Sequence, residues 1–295
     1  MAGQNIKIEL NAVIVAVTGG EPQLLIDPDM ALPSGPFETG HRTLEQGLRN
    51  WAQSKGGQPL GYVEQLYTFA DKDRAAGHER LVSIGYLALV HANPAAKQNN
   101  WSPWYRHFPW EDHRKGVPVI IAKTIMPGLN TWKSSGSDTV KRERSQRIGI
   151  AFPKDMRRWN EEHVLQRYEL LWEAGLVEEA QGKKTNMLGT AMAHDHRRIL
   201  ATAMARLRAK IKYRPVVFEL MPESFTLLQL QNAVEALAGL RLHKQNFRRL
   251  VETQGLVEET GAVTSGASGR PAKLFAFRRE VLVERAATGT KLPRS

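Results

Sequence analysis

The stretch from Phe225 to Phe277, FTLLQLQNAVEALAGLRLHKQNFRRLVETQGLVEETGAVTSGASGRPAKLFAF, constrains the chain more than any other. Ser224 or Thr226 can cap a helix in which Leu227, Leu230, Val234 and Leu237 recur at helical spacing, and Gly239 ends it. A second helix is predicted from about His243 to Gln254, stopping at Gly255. Its apolar stripe is Phe247, Leu250 and Val251. At roughly 100° per residue, Gln245, Arg248, Arg249 and Glu252 fall on the opposite side, with Lys244 and Asn246 on the borders. Leu256 and Val257 begin a strand, a loop rich in Gly, Ala, Ser and Thr leads to Arg270 and Pro271, and Lys273 to Phe277 returns.

Helix, turn, basic helix and basic-tipped hairpin form the outline of a winged helix-turn-helix. Such a helix enters a major groove and offers base edges forked donors (Arg) and amide donor-acceptor pairs (Gln, Asn). The hairpin carries Arg270 and Lys273 toward phosphates or the minor groove. The candidate DNA contacts are Lys244, Gln245, Asn246, Arg248, Arg249, Arg270 and Lys273. A small helical domain with a solvated basic face, or a protein-binding module, has the same outline.

Charge supports the first reading. From Met192 to Ser295 there are 18 Lys and Arg against 9 Asp and Glu, whereas the preceding 191 residues hold 23 against 21. Phosphate neutralisation with counterion release dominates nucleic-acid affinity, so the last third suits a polyanion. Cysteine is absent, which excludes disulfides, zinc-thiolate sites and thiol catalysis. No run of 18 apolar residues offers a membrane span, and no signal peptide is expected. A cytoplasmic, nucleoid-associated protein is the corresponding expectation.

In front of this stretch, Ile6 to Val17 and Gln23 to Ile26 read as a hairpin turned at Gly19 and Gly20. A Gly/Pro loop then enters a helix through Thr43, with Leu44, Leu48 and Trp51 on one face. Leu60 to Phe69 and Leu81 to Val90 read as two further strands. Hairpin, loop, helix and two strands is the opening of a Nudix fold, an α/β/α sandwich. The Nudix box, G-x5-E-x7-R-E-U-x-E-E-x-G, binds Mg²⁺ through its carboxylates, because hard divalent ions need oxygen ligands. In register from Gly35, the box keeps Arg49 and Gly56. Its glutamates are replaced by His41, Asn50, Gln53 and Ser54, and Glu38 and Glu45 fall out of register. No metal site and no hydrolase activity are expected.

The segment from about 93 to 160 holds five of the seven tryptophans: Trp101, Trp104, Trp110, Trp132 and Trp159. Val117–Lys123 and Arg147–Phe152 are its strand candidates. It reads as an insertion on the first domain. A sharper reading is a nucleotide pocket, its candidate residues being Arg49, Arg74, Trp104, Arg106, Arg114 and Lys123, with Lys115 also basic and nearby. His107, Asp112 and His113 read as exposed polar residues beside Trp rather than metal ligands. Asn160–Glu173 is predicted helical, with Tyr168, Leu171 and Trp172 on its apolar stripe. His194–Lys212 is a long basic helix, and Val216–Leu220 a strand. The expected division is α+β: a Nudix-like sensing domain over 1–185 and a winged helix domain over 186–295 with 194–212 as its linking helix.

The runs DHRRIL, RLRAKIKYRPVVFELMPESFTLLQLQ, NFRR and GRPAKLFAF, with VEQLYTFADKDR and LVSIGYLALV in front, resemble the Nudix-related transcriptional regulators of NAD metabolism. The resemblance covers most of 1–92 and 186–278. It implies a homodimeric repressor on a palindromic double-stranded operator, released by an adenine nucleotide, with no cofactor required. One group of that family (NrtR type) senses ADP-ribose and a longer one (NadQ type) responds to ATP. The lost carboxylates and the extra central segment make this chain more similar to the second. Carried over by position, Asn246, Arg248 and Arg249 lie in the recognition-helix motif, and Arg270 and Lys273 in the wing.

Overall fold

The computed structural model describes residues 6–56, 60–70, 80–91, 100–182, 188–264 and 271–281. Strand β1 (Ile6–Thr18) is its axis. Residues 10–16 of β1 are buried without a break, so the strand is covered on both faces. It pairs antiparallel with β2 (Glu21–Leu25) and β3 (Ser34–Pro36), and parallel with β5 (Arg80–Leu89). With β4 (Val63–Phe69) and β6 (Trp101–Pro103) the main path runs β4-β5-β1-β2-β6.

The two-residue period of β1 sorts its side chains between two cores. Leu10, Ala12 and Ile14 meet helix α1 (Leu44–Gly56) through Leu48 and Ala52. Val13 and Val15 join a larger core with Ile199, Leu200 and Leu207 of helix α6. Three helices stand between: α2 (Met126–Ser134), α3 (Asp138–Ala151) and α4 (Val164–Glu173), followed by the single turn α5 (Glu178–Gln181). Helix α6 spans His196–Lys210. It packs on α4 and on β1, β4 and β5, so it is the back layer of the sandwich. It was expected as a linking helix of the second domain; the apolar stripe through Ile199, Ala203 and Leu207 is instead spent on the sheet.

Two further expectations change in the middle of the chain. Val117–Lys123 and Arg147–Phe152 are not strands: the first enters a helical run through Ile121–Ile125 into α2, and the second is the end of α3. Short apolar runs do not separate strand from buried helix by periodicity. Val216–Leu220 is likewise a 3₁₀ turn, with Val216, Val217, Phe218 and Leu220 all buried. Beyond it lie α7 (Leu227–Ala238), α8 (Lys244–Thr253), and the hairpin of β7 (Val257–Val263) and β8 (Lys273–Phe277). Among the described residues no helix is long and apolar enough to cross a membrane.

One buried ion cluster ties these layers together. The Glu111 carboxylate is fully buried and accepts from Arg167 of α4 at 2.6 and 2.8 Å and from Arg208 of α6 at 2.7 Å. Arg208 also donates to the Leu237 carbonyl at 3.0 Å, and the Tyr105 hydroxyl donates to the Ala236 carbonyl at 2.7 Å. Both carbonyls belong to the C-terminal turn of α7, where intrahelical donors run out. Arg167 stacks on Trp159, its guanidinium carbon 3.9 Å from the ring centre. Burial alone would raise the Glu111 carboxyl, but the two guanidinium groups outweigh it and hold it below the usual carboxylate range.

Removing one charge from such a cluster leaves buried arginines uncompensated. Glu111→Gln is expected to destabilise the protein by about 3–5 kcal/mol at neutral pH, read as a lower midpoint in urea. Because the folded-state value is depressed, Glu111 contributes stability above the ordinary carboxylate pKa of about 4.3 and loses it as pH falls through the folded value. The gap between wild type and Glu111→Gln should therefore narrow on acidification.

Candidate nucleic-acid interface and ligand cavity

Helix α7 begins with a reciprocal capping box. The Thr226 side chain accepts from the Gln229 amide, and the Gln229 side chain accepts from the Thr226 amide. It ends at Gly239, φ +71°, in the left-handed region. A Cβ there would lie 2.4 Å from the Glu111 carbonyl oxygen, so only glycine lets the turn press against the buried cluster. The turn into α8 is set by Glu235, whose carboxylate accepts from the Leu242 amide at 2.9 Å, from Gln231 at 2.9 Å and from Arg241 at 2.7 Å. Burial raises the Glu235 carboxyl, but these three donors outweigh it and hold it low.

With the turn fixed, α8 buries Phe247 and Val251 and turns its other face outward. Lys244, Gln245, Asn246, Arg248 and Arg249 are all exposed. Among the described residues none of these five side chains has an intramolecular hydrogen bond or ion pair, so their donors remain open to a partner. Leu250, expected on the buried stripe, is 53% exposed. It stands beside the basic face and adds an apolar contact to it.

The hairpin packs as a wing. Phe225 and Phe275 exchange backbone hydrogen bonds of 2.9 and 2.8 Å in a single antiparallel bridge, and Phe277 stacks on Phe218 with centroids 4.2 Å apart. Lys273 is exposed at the loop end of the wing, opposite Val263, and paired with Glu259 at 2.8 Å. Arg270 lies outside the described residues.

The residues expected to form a nucleotide pocket do not come together. Trp104 is a core residue, 1% exposed. Arg114 is held by Asp112 and Glu21 and donates to the Gly20 carbonyl, and the Asp112 contact raises its pKa further. Arg49 pairs with Glu45 and donates to the carbonyls of Leu60 and Gly61, which makes it a brace for that loop. Arg106 is exposed and donates to the Thr190 hydroxyl, and Lys123 and Lys115 are exposed elsewhere on the surface. Arg74 lies outside the described residues. His107 and His113 are buried, not exposed as expected. Burial lowers the His107 pKa to about 4, so it is neutral, bonded to the Thr190 carbonyl, and His113 packs 4.1 Å from Trp159.

In the helix-entry loop, Gly35 makes room for the Trp51 indole, which a Cβ would meet at 2.2 Å. His41 accepts from the Glu38 amide and packs on Phe37. Asn50 and Gln53 are exposed, and the Ser54 side chain lies outside the described residues.

A cavity of about 880 Å³ opens instead at the strand ends bearing Glu9, Ser34 and Leu81, roofed by helices. Helix α4 supplies Tyr168, Glu169, Trp172 and Glu173, α3 supplies Arg147, the turn before α6 supplies His194, and the start of α6 supplies His196 and Arg198. Trp172, expected on a buried stripe, is 53% exposed at this opening. An open indole face beside guanidinium groups fits a flat ring carrying a charged tail. No single stretch of sequence signals this cavity, because its walls come from six separate segments. The one local hint is a Trp between Glu169 and Glu173 on a helix already supplied with apolar residues.

Comparison with known proteins agrees with this architecture. Residues 217–277 match the family model of the NrtR DNA-binding winged helix domain. Over 86 residues the chain is 43% identical to the ADPR-responsive transcriptional repressor NtrR of Acinetobacter baylyi, a match covering 29% of this chain and 34% of that relative. The chain therefore matches about a third of that relative's length. In structure, Shewanella oneidensis NrtR complexed with a 27mer DNA aligns at TM-score 0.57 and 19% identity, covering 94% of this chain and 95% of that one. A MutT/nudix family protein from Enterococcus faecalis aligns at TM-score 0.54 and 16% identity, covering 94% and 90%. Over 94% of its length the chain aligns with the fold of these proteins, and residues 217–277 match the NrtR-type DNA-binding winged helix domain.

Proposed function

We propose that this protein is a sequence-specific DNA-binding transcriptional repressor whose Nudix-like part senses an adenine nucleotide. The observation that carries the reading is the open basic and amide face of α8, Lys244 to Arg249, mounted on a domain of NrtR type. The relative from Acinetobacter is named for its response to ADP-ribose, which supports ADP-ribose over ATP as the effector proposed here. The effector lies in the cavity beneath Trp172. The sensing part runs through α6 and the reading part follows it. NAD biosynthesis genes are the proposed targets, and a homodimer on a palindrome the proposed assembly, because half-sites mirror a protein two-fold axis.

Hydrolysis is not part of the proposal. Where the Nudix box needs carboxylates the chain has His41, Asn50, Gln53 and Ser54, so the box offers no oxygen cage for Mg²⁺. An effector releases DNA only by binding two conformations unequally. The Glu111 cluster is the proposed joint, because it holds the helices roofing the cavity and the last turn of α7 at once.

The decisive experiment is a mobility shift on the protein's own upstream region and nearby NAD genes, with ADP-ribose, ATP and NAD titrated in. A shift reversed by ADP-ribose is expected; no shift on any of these sequences would remove the proposal. Arg248→Ala should weaken operator binding by about 1–3 kcal/mol if it contacts a base, with unchanged urea stability. Trp172→Ala should weaken ADP-ribose binding by about 1–3 kcal/mol through lost stacking, measured calorimetrically.

A further inference from the structure

Each arginine at the cavity is already engaged, and both partners stand on one helix. Arg147 of α3 pairs with Glu173 at 2.5 Å, and Arg198 of α6 pairs with Glu169 at 2.9 Å. Glu169 and Glu173 lie four residues apart on α4, with Trp172 between them. The four side chains are 39–45% exposed. The deeper pairs on the same helices differ: Arg167 with Glu111 is fully buried, and Arg197 with Glu179 nearly so. Half-exposed pairs open at little cost because the released carboxylate is rehydrated, whereas buried ones do not. The cavity also carries more carboxylates than guanidinium groups, so an anionic ligand gains a cation there only by taking one from a glutamate.

Resting on the reading that this cavity takes the effector, we propose that its phosphates bind by ion-pair exchange. They displace Glu173 from Arg147 and Glu169 from Arg198 while the base stacks on Trp172. The diphosphate of ADP-ribose carries two negative charges and four unesterified oxygens on one short linker, so a single ligand can engage both guanidinium forks at once, whereas each glutamate engages one. The exchange removes two contacts from α4 alone, one to α3 and one to α6. It also leaves two unpaired carboxylates facing a phosphate, which pushes α4 away. Helix α4 carries Arg167 into the Glu111 cluster, so the displacement is felt where that cluster grips α7. Half of the clamp, Arg147, comes from the central helices that the sequence resemblance does not reach.

The exchange makes the two members of one pair act with opposite sign. Calorimetry on the full chain should show Arg147→Gln binding ADP-ribose roughly tenfold more weakly, from the loss of a charge-assisted contact. Glu173→Gln should bind it about three- to fivefold more tightly, since a competitor of surface-pair strength is gone, and release DNA at correspondingly lower ADP-ribose. Glu169→Gln should follow Glu173→Gln, which guards against one variant failing to fold. Adenosine, lacking phosphate, should bind all four proteins within about twofold. Parallel weakening by Arg147→Gln and Glu173→Gln would mean that the pair only braces the wall, and would overturn the exchange. So would no change in either. If neither ADP-ribose nor adenosine binds the wild type, the cavity reading itself falls and the exchange with it.

Discussion

The structure depends on one carboxylate held between two arginines. Glu111 is fully buried between Arg167 and Arg208; both must be present for it to stay charged, and it must be charged for them to stay buried. A cluster of this kind is a poor source of net stability, because desolvating the ions offsets most of their attraction. What it supplies is position. Arg208 has donors left over for the Leu237 carbonyl and for the Glu161 carbonyl, and Tyr105 takes the Ala236 carbonyl. The last turn of α7 is thereby fixed to α4, α6 and the segment around Glu111 by groups that cannot slide without leaving a buried charge unpaired.

That constraint orders the rest. Gly239 is required because the turn touches the Glu111 backbone, and Glu235 then sets the departure of α8 through the Leu242 amide. The same helices that deliver Arg167 and Arg208 to the cluster roof the cavity with Trp172 and Arg198. Cavity and reading helix therefore share two rigid elements, and a displacement of α4 has a short path to the α7–α8 turn. The pairs around the cavity are exposed enough to be exchanged; those in the cluster are not.

The sequence made the reading end legible because everything there is local. The capping box, the glycine stop, the buried Phe247 and Val251 and the outward arginines all lie within one short stretch, and helical spacing alone sorts them. Leu250 escaped that sorting, since a one-turn stripe does not show how far the neighbouring elements reach. The central segment was misread because its short apolar runs carry no decisive period; Trp104 and Trp110 turned out to be core, and Arg114 an internal brace. The α6 stripe was legible as apolar, but what it packs against was not, for a helix pattern does not name the surface it covers. The cavity was invisible for a related reason: Glu9, Ser34, Arg147, Trp172 and Arg198 meet only after the sheet and three helices have assembled.

The central claim is that the state of the cavity reaches the reading helix through the Glu111 cluster. Amide hydrogen exchange on the full chain, with and without ADP-ribose, tests it most directly, because local opening is reported residue by residue. The account predicts altered protection in α4, in His113, whose amide donates to the Gly239 carbonyl, and across the α7–α8 turn from Gly239 to Leu242. Changes confined to the cavity wall, with that turn unaltered while DNA is released, would contradict it.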